Sequence, residues 1–231
     1  AAPPAREADL LRLASSVCGA TPPHTQLRAS SRLVACAPLL NGDGGAAGGG
    51  AAAGEGAARE RRAITLCALE FVRELLERAA QRADWSRDEP AFLEAALELF
   101  GALAGAFERA RHDGAEAGGP SGAEAAASST ARRLCQEAML ALQALLPAGC
   151  LQPITTLLAH AEPAVQNLAV LLLQARLQRG PGKLLASAPE EPIAQMTRRL
   201  VALSGAAAAS PSSQRAALLA LDLLARECGA A

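Results

Sequence analysis

Apolar residues recur every three or four positions along most of this chain, with polar residues between them, and that period belongs to amphipathic helices. Residues 5–17 (AREADLLRLASSV) show it first. The prolines of TPPH at 21–24 end that helix, because neither supplies an amide donor. The pattern resumes over 25–40, with Thr21 or Thr25 as its cap and an end near Pro38. A long helix is predicted over 59–82, with Leu66, Leu69, Val72, Leu75 and Leu76 on one face and Arg and Glu on the other. After a loop from Asp84, Pro90 suits the first turn of a helix over 91–111, striped by Phe92, Leu99, Phe100, Leu103 and Phe107. Farther on, helices are predicted at 129–146, 151–160, 163–179, 190–204 and 211–228. Pro147, Gly180, Pro181, Pro189 and Pro211 mark the short turns between them. Helices of this length joined by short turns lie antiparallel to their neighbours.

Two low-complexity stretches interrupt the pattern, NGDGGAAGGGAAAGEG at 41–56 and DGAEAGGPSGAEAAAS at 113–128. Glycine-rich backbone is costly to order, so both are expected to be flexible inserts looped out of a helical array. The expected organisation is a helix pair over 1–40, an insert over 41–58, a long helix pair over 59–112, a second insert over 113–128, and repeats over 129–231. Within the last region AVQNLAVLLLQARL (164–177) aligns with SSQRAALLALDLLA (212–225). Gln166 then faces Gln214, and Ala169 faces Ala217, at an offset of about 48, close to the length of HEAT and armadillo units. The fold class this implies is all-α, an α-solenoid of HEAT-like antiparallel helix pairs with low-complexity loop insertions.

Composition agrees with that reading. Half of the 231 residues are apolar, mostly Ala and Leu, and the aromatics are Trp85, Phe71, Phe92, Phe100 and Phe107. Ala and Leu favour helices, whereas strands draw on β-branched and aromatic side chains. The net charge of −1, with Lys183 the single lysine, gives no bulk attraction for nucleic acid. No uninterrupted apolar run reaches the roughly 18 residues of a membrane span, so no membrane partner is expected. No basic-then-apolar leader marks secretion, and the chain opens on Ala1 rather than Met, as a fragment or processed product would. Six cysteines (Cys18, Cys36, Cys67, Cys135, Cys150 and Cys228) are scattered without a C-x-x-C pair and are expected to be reduced thiols packed as small hydrophobes.

Candidate chemistry reduces to a few stretches. Gly42-Asp43-Gly44-Gly45-Ala46-Ala47 fits a dinucleotide fingerprint in letters, but lacks the preceding strand and the later acidic residue. There is no P-loop, no H-E-x-x-H, no G-x-S-x-G elbow, and no zinc-finger or RRM signature; His24, His112 and His160 are far apart. Small arginine clusters (Arg59-Glu60-Arg61-Arg62, Arg132-Arg133, Arg198-Arg199) read as solvated helix faces. The break His160-Ala161-Glu162-Pro163 remains. A catalytic His–Glu dyad there would need a nucleophile or metal nearby, and Cys150 is at the far end of the preceding helix. Helix-end physics accounts for the same residues: an imidazole in the last turn of one helix, a carboxylate and a proline opening the next. The chain is therefore expected not to be an enzyme. No catalytic, cofactor-binding or metal-ligating residue is assigned, no small-molecule substrate is expected, and the binding face is not marked.

LLPAGCLQPITTLLAHAEPAVQNLAVLLLQARL (145–177) resembles a segment of the very large nucleolar HEAT-repeat proteins of the UTP-A (t-UTP) subcomplex of the small-subunit processome. Leu145-Leu146-Pro147, Leu157-Leu158, His160, Val165, Ala169 and Leu171-Leu172 match that family's pattern. QRAALLALDLLARECG (214–229), TPPHTQLR (21–28) and ITLCALEFV (64–72) are similar to further stretches of it in the same order. Gln166, Asn167 and Leu168 stand where the family carries a basic run, and Thr25-Gln26 replace basic residues after His24. The resemblance implies a non-catalytic scaffold of ribosome biogenesis, acting in small-subunit pre-rRNA processing and transcription-coupled assembly in the nucleolus. Its implied partners are other processome proteins, with pre-ribosomal RNA and small nucleolar RNA met directly or through them. The alternative is a generic HEAT or armadillo protein-interaction adaptor in transport or signalling.

Overall fold

The computed structural model describes residues 12, 13, 15, 21–40, 51–82, 85–115, 122–147, 149–179, 190–207 and 211–229. Among these there are eight helices and no strand: α1 (Pro23–Leu40), α2 (Ala51–Gln81), α3 (Pro90–Ala115), α4 (Gly122–Leu145), α5 (Gln152–Leu158), α6 (Pro163–Arg179), α7 (Glu190–Gly205) and α8 (Pro211–Gly229). Of the helix expected at 5–17 only residues 12, 13 and 15 are described, and all three are helical; the glycine fingerprint at 42–47 lies outside the described residues. So do Cys18 and Lys183.

Helix starts follow the prolines. Pro23, Pro90, Pro163 and Pro211 each occupy the first helical position, where a missing amide costs nothing and φ is already set. Two starts differ from expectation. α2 begins at Ala51 and α4 at Gly122, both inside the stretches expected to be flexible inserts. The cause is alanine: Ala51–Ala53, Ala57 and Ala58 in one stretch, and Ala123 and Ala125–Ala127 in the other, let each helix propagate backwards despite interspersed glycines. Thr25 lies within the first turn of α1, its amide bonded to the Pro22 carbonyl at 3.0 Å.

The chain forms two compact units, Ala1–Leu145 and Leu146–Ala231. In the first, α1 packs on α2, α3 on α4, α1 on α3, and α2 on α4. In the second, α5 packs on α6, α7 on α8, α5 on α7, and α6 on α8. The eight described helices thus form two pairs in each unit, with first helices side by side and second helices side by side. In the first unit the direction of stacking is fixed by side chains. Arg73 of α2 meets Glu137 of α4 at 3.8 Å, while Arg62, Thr65 and Leu69 share a cleft with Ala127, Ser128 and Ala131. Both ends of that contact advance together, so α2 and α4 run parallel.

The core of the first unit is built from Leu27, Leu33 and Val34 of α1, Leu69, Val72 and Leu76 of α2, Phe92, Leu99 and Leu103 of α3, and Met139 and Leu142 of α4, all at most 3% exposed. Trp85 closes one end, 7% exposed and edge-on to Phe92 with ring centroids 5.7 Å apart. Mean hydropathy of 1.4 makes Pro90–Asp113 long and apolar enough, by length and composition, to cross a membrane. No uninterrupted run had suggested this, because Glu94 and Glu98 interrupt a stretch rich in Ala, Leu and Phe. In the fold Phe92, Ala95, Ala96, Leu99, Phe100 and Leu103 are buried, as the core stripe of a helix packed on α1 and α4. The second unit buries Leu151, Ile154, Val165, Leu168, Leu172, Met196, Leu200 and Ala217.

Candidate functional site: the elbow at His160–Gln166

Helix α5 is only seven residues long and ends at Leu158, with Ala159 as its C-cap. His160 is therefore past the helix rather than in its last turn, and it does not act on the dipole of α5 as expected. Its own amide still donates to the Leu157 carbonyl at 3.1 Å. Its ring does something else: the Glu162 amide donates to His160 Nδ1 at 3.0 Å. An amide can only donate, so Nδ1 presents its lone pair and the ring carries its proton on Nε2. The imidazole thereby satisfies one of the orphan donors at the start of α6.

A second bond closes the elbow from the other side. Gln166, in the first turn of α6, donates from Nε2 to the His160 carbonyl at 2.7 Å. Glu162 contributes its backbone, its carbonyl accepting from the amides of Val165 (3.1 Å) and Gln166 (3.2 Å). Pro163 sits between them at the first helical position. Upstream, Arg176 reaches back from the far end of α6 and donates to the Leu146 carbonyl at 2.8 Å and also to the Pro147 carbonyl. Cys150 lies near this arginine. Burial pushes its thiol up, and Arg176 and the Gln152 amide only partly oppose that. A thiol held protonated is a poor nucleophile. His160 and Glu162 are thus brought together as parts of a turn.

The glutamine contact recurs. Gln214 donates to the Ala206 carbonyl at 2.8 Å, and Gln26 donates to the Thr21 carbonyl at 2.6 Å. In all three cases proline is the first residue of the helix and glutamine follows three residues later: Pro23/Gln26, Pro163/Gln166 and Pro211/Gln214. The fourth P-x-x-Q, Pro192/Gln195, has its proline at the third helical position, and Gln195 bonds the exposed Glu191 carboxylate at 3.2 Å instead. Sequence reading matched Gln166 to Gln214 but missed this clamp. The repeated P-x-x-Q spacing was the signal for it.

The correspondence of α6 and α8 covers part of both helices, and it breaks at Val170, fully buried, against Leu218, 57% exposed. Val165, Ala169 and Leu172 are buried, and so are Ser213, Ala217 and Ala220, each 48 positions later. Leu171 and Leu219, again 48 apart, are both exposed, at 45% and 51%. Among the described residues no group of three or more His, Cys, Asp or Glu is placed to hold a metal ion. In the arginine clusters, Arg133 meets Glu137 (3.7 Å) and Arg198 meets Glu191 (3.1 Å) on helix faces. No family model matches the chain, and neither does any curated protein or solved structure.

Proposed function

We propose that this protein is a non-catalytic scaffold, built as an α-solenoid of HEAT-like helix pairs, that presents a binding surface to protein partners. The observation that carries the reading is the 48-residue correspondence of α6 and α8: the same proline start, the same glutamine clamp, and three shared buried positions, 165/213, 169/217 and 172/220. Stacked helix pairs of this kind serve as extended surfaces. Exposed apolar side chains on the second unit, Leu171, Val201, Leu218 and Leu219, support the reading that a partner covers it, since such side chains gain by being covered.

The proposed setting is ribosome biogenesis in the nucleolus, in small-subunit pre-rRNA processing. It is supported by the resemblance of 145–177 and 214–229 to the nucleolar HEAT-repeat proteins. The partners would be processome proteins, with RNA reached directly or through them. Capture of the tagged protein from cell extract, with proteins and RNA both identified, tests this. Enrichment of pre-ribosomal RNA with small-subunit processome proteins is expected. Transport or signalling proteins without ribosomal precursors would reject the nucleolar setting and favour the general adaptor.

A further inference from the structure

The outer face of α8 is laid out symmetrically about a point between two leucines. At 3.6 residues per turn, Pro211, Arg215, Leu218, Leu219, Asp222 and Arg226 share one side of the helix, and all six are exposed. The opposite side carries Ser213, Ala217, Ala220 and Leu224, which are buried. Arg215 stands three residues before Leu218, and Asp222 stands three residues after Leu219. Along the chain the face reads cation, leucine, leucine, anion. Read in reverse it is anion, leucine, leucine, cation.

The same places on α6 are treated differently. Forty-eight positions earlier Val170 is fully buried, and the uncharged Asn167 and Gln174 stand where α8 has Arg215 and Asp222. The chain covers that position on α6 and leaves it open on α8, where two opposite charges flank it. Among the described residues only three large apolar side chains are more than half exposed, and Leu218 and Leu219 are two of them. The third, Val201, is on α7, which packs on α8. Arg215 has no ion-pair partner among the described residues. Asp222 bonds Arg226 within the helix at 2.7 Å and has a second carboxylate oxygen to offer.

We infer that a second copy of this chain covers this face, with α8 packed antiparallel on its counterpart about a two-fold axis that passes between Leu218 and Leu219. Leu218 then lies against Leu219 of the second copy, and Arg215 faces Asp222 of the second copy, each contact being made twice. A two-fold contact needs a surface that complements itself in this way. The leucines supply apolar area, and the charges fix the direction, because a parallel arrangement would set Arg215 against Arg215 and Asp222 against Asp222. The inference rests on the proposed reading that a partner covers the second unit, and it names that partner. An interface centred on one helix per copy is small, so the dimer is weak and forms at high protein concentration.

Sedimentation equilibrium of the full chain from about 1 µM to about 500 µM, the range in which a weak contact forms, tests this. The mass should rise from 23.5 kDa towards twice that value and stop there. Leu218→Glu should hold the mass at 23.5 kDa throughout with an unchanged helical circular dichroism spectrum, because the position is exposed. Leu171→Glu, at an exposed position flanked by Asn167 and Gln174, should associate as wild type does. Arg215→Asp and Asp222→Arg should each weaken association by about tenfold or more, since each sets like charges opposite one another twice. A chain carrying both substitutions should recover it. A monomer at every concentration, growth beyond the dimer by head-to-tail stacking, association undiminished in Leu218→Glu, or no recovery with both charges exchanged would overturn the inference. The scaffold reading has its own readout in capture from cell extract, so a strict monomer would leave it standing.

Discussion

Replacing Gln166 by alanine removes the bond from Nε2 to the His160 carbonyl, a 2.7 Å contact in a half-buried turn. A net intramolecular hydrogen bond is worth about 0.5–1.5 kcal/mol. The carbonyl left behind keeps partial access to water, which places the loss near the middle of that range. Alanine is the better helix former, which returns a few tenths of a kcal/mol. The expected net cost is about 0.5–1 kcal/mol. For a unit of 86 residues (231 − 146 + 1) that is a fall of about 2–8 °C in the midpoint of the second unit. Gln195→Ala supplies an internal control. It changes helix propensity by the same amount, but its partner is an exposed carboxylate, and such contacts contribute little. Gln214→Ala should follow Gln166→Ala, since its bond to the Ala206 carbonyl is of the same kind. Thermal and urea unfolding monitored by circular dichroism at 222 nm would report all three. If Gln195→Ala destabilises as much as Gln166→Ala, the glutamines matter through some property of the helix surface and the clamp is not what stabilises the turn.

Three further outcomes are expected. Leu99→Ala, at a fully buried position of α3, should cost about 2–5 kcal/mol in urea unfolding. Leu97→Ala, two residues away and 36% exposed, should cost under about 1 kcal/mol, and similar losses at both sites would contradict the assigned core face. The raised thiol of Cys135 contributes stability that is complete below the ordinary value of 9.0 and is lost as pH rises towards about 12. Wild type should therefore lose stability relative to Cys135→Ala across that window, and parallel pH profiles would show that the thiol is not buried as described. Arg176→Met should destabilise the second unit by about 1.5–3 kcal/mol by freeing the Leu146 and Pro147 carbonyls, whereas Arg226→Met, which breaks an exposed pair with Asp222, should stay near zero.

Most of the helices are legible in the sequence because their starts are marked by proline and their inner faces by leucine. Pro90, Pro163 and Pro211 open α3, α6 and α8 within a residue of expectation. The backward extensions of α2 and α4 were not legible, because glycine and alanine pull in opposite directions at Ala51–Gly56 and Gly122–Ala127, and the alanines prevail. At the elbow, the structural role of His160 was foreseen but its physics was not. A dipole argument needs the residue inside the last turn of α5, and the helix stops two residues short. What the ring does instead depends on the path of the backbone after Ala159, which no spacing rule reports.

The scaffold reading stands on stacked, repeating helix pairs, and the most direct test is the register of α6 against α8. Spin labels placed at the exposed positions 171 and 219 are the probe. Neighbouring helices pack about 8–10 Å apart, so equivalent positions on parallel second helices should give strong dipolar broadening. A pair at 171 and 226 adds seven residues, about 10 Å along the axis, and should broaden less. Strong broadening for 171/219 and weaker for 171/226 is the predicted result. The reverse order would show α8 running against α6 and would contradict the repeat on which the account depends.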